Sequence, residues 1–142
     1  MQQSMAGNRF MLPYLDDGEF KILVFKIDGE VCNITLNQFI GIDNSTMPIA
    51  GIMDPLLTSC FINNRLVFVT IFYRSTITSW NFVLDLQLQQ PVSDLLSLKM
   101  DCTNLNFPIQ SFFQSEKNYI YLFFRQGQEY IFSLDPFELI SE

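Results

Sequence analysis

The side chains in this chain that could do chemistry are carboxylates and thiols. Asp16, Asp17 and Glu19 crowd around Gly18, and Asp28, Asp85 and Asp135 each close a similar apolar run. A carboxylate pair is the one enzymatic device these residues offer. Glycoside hydrolysis uses two carboxyl groups held roughly 5–9 Å apart. Asp and Glu beside a Gly are also ordinary turn chemistry, and Asp16, Asp17 and Glu19 are read that way. They lack the ligand pattern of a known calcium loop. Asp28, Asp85 and Asp135 are read as acceptors of backbone N–H groups in the turn after each strand. The alternative is a ring of carboxylates around one rim. Histidine is absent. The usual general base, the commonest metal ligand and the Ser–His and Cys–His nucleophile systems are therefore missing. The 6 glycines are dispersed, so no phosphate-cradling loop exists. Cys32, Cys60 and Cys102 are odd in number and widely spaced, which fits neither a zinc site nor a disulfide framework. They are expected as buried free thiols. No catalytic residue, metal or cofactor is expected, and the chain is not read as an enzyme.

The elements that would position these residues are strands. The 142 residues are 49% hydrophobic and 15% aromatic, with 15 Phe. Such a composition can bury a core and argues against disorder. Phe-rich, β-branched runs favour strands. One stretch organises the rest. Leu66 to Tyr73 is apolar on both faces except for Thr70, as expected of a strand in the middle of a packed assembly. It pairs with Trp80 to Asp85 as a hairpin whose loop is placed at Ser75 to Ser79, with Trp80 at the loop.

Two similar hairpins flank it. Arg9 to Leu15 and Phe20 to Asp28 are joined through Asp17-Gly18, a strong tight-turn dipeptide. Pro13 suggests that the first of these strands is an edge or is bulged. Asn118 to Arg125 and Gln128 to Asp135 are joined through Gln126-Gly127, and Pro136 stops the second. Asn8, Asn64 and Asn118 open the first strands; Asp28, Asp85 and Asp135 close the second ones. The lead-ins Ser59-Cys60-Phe61 and Ser111-Phe112-Phe113 also match, as do Pro48-Ile49 and Pro108-Ile109 upstream of them. Between hairpins, Val31 to Leu36 alternates like a half-buried strand, Gly41 to Pro48 reads as a loop, Ile49 to Met53 as a short strand, and Asp54-Pro55 as a turn. The stretch from Pro91 to Met100 fits a short helix opened by Pro91, through Asp94, Leu95, Leu96 and Leu98, or a loop followed by a strand from Leu95 to Met100, with strand preferred. The chain is read as a single all-β domain, 1–142, with repeats at approximately 8–58, 59–110 and 111–142. Strand-built repeats of about 40–50 residues are the mark of propeller blades.

The repeat resembles a kelch-type β-propeller blade, and the blade repeats of the propeller-like domains attached to F-box proteins. Leu134-Asp135-Pro136 is similar to the family's third-strand ending. Pro108 to Phe124 is similar to the run from one blade into the next. Tyr73-Arg74 and Phe124-Arg125 stand where the family has a Gly-Gly pair. The resemblance implies an antiparallel propeller-like fold and an interaction platform that binds proteins through loops at one face.

Closed propellers typically have about 4–8 blades. Three repeats therefore need another chain, the rest of a longer protein or a partner's blades, unless the strands close instead as a single β-sandwich or barrel. An open array would leave the uncharged strand Tyr119 to Phe124 exposed to aggregation.

The net charge of −7 with only 8 basic residues argues against a nucleic-acid partner. No apolar run reaches the length of a membrane span, and the start of the chain lacks the pattern of a secretory signal. Asn33-Ile34-Thr35 and Asn44-Ser45-Thr46 are then chance glycosylation matches, and an intracellular location, cytoplasmic or nuclear, is expected. The function expected is a non-enzymatic interaction module, a scaffold or substrate-recognition subunit, with a protein partner or self-association. Asp16, Asp17, Arg74, Trp80 and Arg125 are its candidate contact residues. The alternative is a carrier for a small apolar ligand, with a Phe-lined barrel or sandwich interior.

Overall fold

A computed structural model describes residues 4–6, 9–16, 19–26, 29, 31–35, 55–73, 78–92, 98–101 and 108–141. Every regular element among them is a strand. β1 (Ser4–Ala6), β2 (Arg9–Asp16), β3 (Glu19–Lys26) and β4 (Val31–Thr35) form a first antiparallel sheet in that order. β5 (Pro55–Phe61), β6 (Leu66–Tyr73), β7 (Thr78–Asp85), β8 (Gln90–Pro91) and β9 (Leu98–Asp101) form the second. β8 and β9 share one edge of β7, pairing with Leu84–Asp85 and with Thr78–Asn81, so this sheet is also four strands wide. β10 (Pro108–Gln114), β11 (Tyr119–Phe124), β12 (Glu129–Leu134) and β13 (Phe137–Ser141) form the third, again in chain order. Among the described residues, no sheet closes into a barrel.

The three hairpins of the sequence are the central strand pairs of the three sheets: β2–β3, β6–β7 and β11–β12. The second sheet is the middle layer. Strand alternation divides its side chains between two faces. Leu57, Val67, Val69, Ile71, Trp80, Phe82 and Leu84 pack against Met11, Ile22, Val24 and Ile34 of the first sheet. Phe68 and Phe72 pack on the other side against Ile120, Leu122, Phe124, Tyr130 and Phe132 of the third. β6 is therefore buried on both faces, as its lack of a polar face predicts. The sheets approach each other most closely at their leading strands, with β5 against β1 and β2 on one side and against β10 on the other.

Several sequence expectations change at the edges. Trp80 is not at a loop. It lies inside β7, opposite Ile71, and is 3% exposed. The polar Thr78-Ser79 before it reads as loop in sequence, but Ser79 is buried and accepts a hydrogen bond from Asn81 Nδ2. Pro136 does end β12, yet the chain turns and returns as β13. Pro13 lies in a strand that has neighbours on both sides, but the described part of β1 covers only Arg9 to Met11, so among the described residues β2 is an edge at Pro13. That is where a residue without an N–H is tolerated. Pro55, not Pro48, begins the strand equivalent to the one opened by Pro108: each pairs with the far end of the next strand, Tyr73 and Phe124. Val31 to Thr35 and Leu98 to Asp101 are strands as expected. The loop and short strand expected over 41–53 lie outside the described residues.

Candidate interaction surface

Of the carboxylates singled out above whose side chains are described, Asp85 has the most fully built surroundings. It ends β7 opposite Leu66, and the turn that follows bends back over it. Its Oδ1 accepts the N–H of Gln87 at 2.9 Å and of Leu88 at 3.1 Å. This is the turn-capping role read from the sequence. The structure adds a cation. Arg65 Nε reaches Oδ1 at 2.9 Å and Oδ2 at 2.8 Å, and Nη2 reaches Oδ2 at 2.7 Å. Arg65 is held in turn by its own connection, where Asn63 Oδ1 accepts the N–H of Arg65 and of Leu66. Asn63, rather than the recurring Asn64, shapes this entry into β6. Asn118, by contrast, precedes β11 at φ 60°, a left-handed conformation that Asn tolerates better than most residues.

The Arg65 guanidinium holds the Asp85 carboxyl below the usual carboxylate range. Partial desolvation works against this, and the Leu88 and Gln87 N–H groups assist it. Asp85→Ala is expected to cost about 2 kcal/mol at neutral pH. The loss comes mainly from the two turn N–H groups, because Arg65 is 47% exposed and its ion pair is screened by solvent. The carboxyl's folded pKa lies below its unfolded one, so its contribution is complete above about pH 4, the ordinary Asp value. It is lost as the pH falls through the lower folded value. Urea denaturation of the two proteins across pH 2–7 should show their stability difference shrinking at the acid end.

Cys60 is a free thiol between the second and third sheets. Burial pushes its pKa up to about 11. Ser111 pulls the other way, but its buried hydroxyl makes no hydrogen bond of acceptable geometry, so burial decides. With almost no thiolate at neutral pH, Cys60 should resist iodoacetamide in the folded protein and react fully in urea. Peptide mapping by mass spectrometry resolves it from Cys32 and Cys102.

The candidate contact residues fall into three groups. Trp80 is core and offers nothing to a partner. The side chain of Asp16, and Asp17 and Arg74 as a whole, lie outside the described residues; the backbone of Asp16 pairs with Glu19 in register. Arg125 is exposed in the turn between β11 and β12, where Gly127 supplies the positive φ of 94°. Asp135 is exposed between β12 and β13. The described ones, Trp80 in the core and Arg125 in a turn of the third sheet, do not come together, and no metal-holding group exists among the described residues.

The surface that does cohere is one the sequence did not single out, the face of the third sheet turned away from the second. Ile120, Leu122 and Phe124 point inward along β11, so Tyr119, Tyr121 and Phe123 point outward. Across the sheet, Phe112 and Ile131 stand directly opposite Tyr121. The Phe112 and Tyr121 rings lie 6.3 Å apart, and Tyr121 stacks on Phe123 at 6.4 Å. Tyr121 donates its hydroxyl to Gln114 Oε1 at 2.9 Å, which fixes its ring. Phe112 is 53% exposed. At the register shifts of the two outer strands, Ile109 and Ile140 are 55% and 41% exposed. The aromatic ridge is rimmed by Glu129 and Glu138. Contiguous, partly exposed aromatic surface of this kind marks an association site more often than an ordinary solvated face.

The chain matches no protein-family model and no curated protein sequence. Among the described residues, no helix is long and apolar enough to cross a membrane.

Proposed function

We propose that this chain is a non-enzymatic protein-interaction module built of propeller-like blades, a scaffold or substrate-recognition subunit of a larger intracellular assembly. The observation that carries this reading is the outward face of the third sheet, an aromatic ridge on a rigid, well-packed layer. Four further features support it. The sheets follow one another in chain order and draw together at their leading strands, as blades around an axis do. The chain has no histidine. The unpaired thiol of Cys60 suits a reducing compartment. The kelch-like ending Leu134-Asp135-Pro136 falls at the turn between the last two strands of the third sheet. The ligand-carrier alternative gains no support, because the sheets stay open and side chains of neighbouring sheets meet in the space between them.

The test is comparative capture from cell extract with the whole chain and with Phe112→Lys, whose folding is checked by circular dichroism. A partner held by the natural chain and lost with Phe112→Lys is the expected result. An identical set of captured proteins for both would overturn the reading.

A further inference from the structure

Among the described residues, both ends of the stack carry an apolar sheet face with no sheet packed on it, and the two faces are of opposite sense. At the leading end, Met11, Ile22, Val24 and Ile34 point into the core. Alternation therefore sends Phe10, Leu12, Leu23 and Phe25 outward. Phe10 stacks on Phe25 at 5.3 Å, and Lys21 shares their face. At the trailing end stands the ridge of Phe112, Tyr121, Phe123 and Ile131. Within the chain, a trailing face meets a leading face twice. The first sheet turns its trailing face to the leading face of the second, and the second repeats this with the third. The interface that would cover the two ends thus already exists in duplicate inside each molecule.

We infer that the occupant of the trailing face is the leading face of a second copy of this chain, so that copies pair head to tail. The inference rests on the interaction reading above and names the partner at the same surface. Three observations select a second copy. Both halves of the contact are present in one chain. The contact continues a packing mode the chain already uses between its own sheets. The two faces also match in kind, each carrying a pair of aromatic rings in contact, Phe10 with Phe25 at 5.3 Å and Tyr121 with Phe123 at 6.4 Å. Such a contact is heterologous, closing into a ring or extending as an array according to the angle between sheets.

The pairing is tested on the purified full chain by light scattering on a sizing column over a concentration series. The natural chain is expected at twice its single-chain mass of 16.5 kDa or a higher multiple. Leu23→Glu places a carboxylate against the acidic rim. Phe112→Lys places an uncompensated cation in the apolar contact. Each should raise the concentration needed for association at least about tenfold, because an unpaired charge in an apolar contact is strongly disfavoured. Mixing the two variants should restore a dimer, since the intact leading face of one meets the intact trailing face of the other. Circular dichroism checks folding, and Leu23→Gln and Phe112→Gln replace any variant that loses its strand signal. A single-chain mass for the natural protein at every concentration overturns the inference. So does undiminished association of Leu23→Glu, which would mean that trailing faces pair with each other. If the natural chain stays single while Phe112→Lys still loses a captured partner, the interaction reading stands without self-pairing. If Phe112→Lys changes neither result, both fail.

Discussion

Phe68→Ala is expected to destabilise the protein by about 4 kcal/mol, the upper part of the range for removing a buried Phe. Phe68 is among the largest fully buried side chains. It projects from β6 into the third sheet, with its ring 5.4 Å from Phe132 and 6.3 Å from Phe137, edge-on to the latter. Phe132 and Phe137 stack on each other at 5.9 Å, so one ring joins two strands of the neighbouring sheet to the middle one. Truncation removes the transfer free energy of the ring and leaves a cavity. β6 is fixed by β5 and β7 on either side and cannot move to fill it. Urea denaturation measures the total. Amide hydrogen exchange locates it: protection should fall first in β11 and β12, while β2 and β3, packed on the other face of the middle sheet, keep theirs. A uniform loss across all three sheets would mean that the layers unfold as one unit. A cost below about 1 kcal/mol would mean that Phe68 does not hold the second and third sheets together.

This asymmetry of supports explains what the sequence made legible. The central hairpins are readable because their signals are local. Asp17-Gly18 and Gln126-Gly127 mark turns, and Leu66 to Tyr73 has the continuous apolar character of a strand covered on both faces. The outer strands are not readable in the same way. Ser4 to Ala6 is three residues of no particular propensity, and it is a strand only because β2 pairs with it. Phe137 to Ser141 follows a proline that reads as a stop, and its place depends on β12. β8 and β9 divide one edge of β7 between them, an arrangement no periodicity encodes. Edge strands depend on a neighbour, and a neighbour is tertiary information.

The candidate surface was hidden for a related reason. Tyr119 to Phe124 is apolar at every position, so alternation cannot tell the face that meets the second sheet from the face that meets solvent. Only the packing of Ile120, Leu122 and Phe124 does so. Charge is conspicuous in the sequence, yet Asp85, among the described charged residues, organises a turn. Its partner Arg65 carries no recurrence signal, unlike Arg74 and Arg125, which stand at matching hairpin positions. Recurrence reports the repeat. The Arg65 pairing belongs to one copy, and the register Leu66 to Asp85 that brings the two residues together is legible only once the hairpin is aligned.

Asn81→Leu is expected to cost about 2–3 kcal/mol, and the double variant Thr70→Val, Asn81→Leu about 1 kcal/mol less than the sum of the single changes. Thr70, Ser79 and Asn81 are fully buried on the face of the middle sheet turned toward the third. Thr70 Oγ1 donates to Asn81 Oδ1 at 2.8 Å, and Asn81 Nδ2 donates to Ser79 Oγ at 3.1 Å. These bonds run across and along the sheet between the apolar anchors Phe68 and Phe72. Replacing Asn81 alone leaves the Thr70 hydroxyl buried without its acceptor, and that penalty exceeds what the bond contributes when made. Removing the hydroxyl as well removes the orphan, so the pair is non-additive. Val is close to Thr in shape, which limits the steric part of the change. A double-mutant cycle in urea measures the coupling, and strict additivity would show that the two side chains do not interact in solution. The polar row also has a role that stability alone does not report. An all-apolar face would allow the third sheet to slide along the second, because dispersion contacts between Phe, Ile and Leu have little directional preference. A fixed line of hydrogen bonds through Thr70 and Asn81 gives that face a feature that only one packing accommodates. Asn81→Leu should therefore broaden the aromatic proton resonances of Phe68 and Phe132 even where the fold survives, and in the double variant they should stay broad although part of the stability returns.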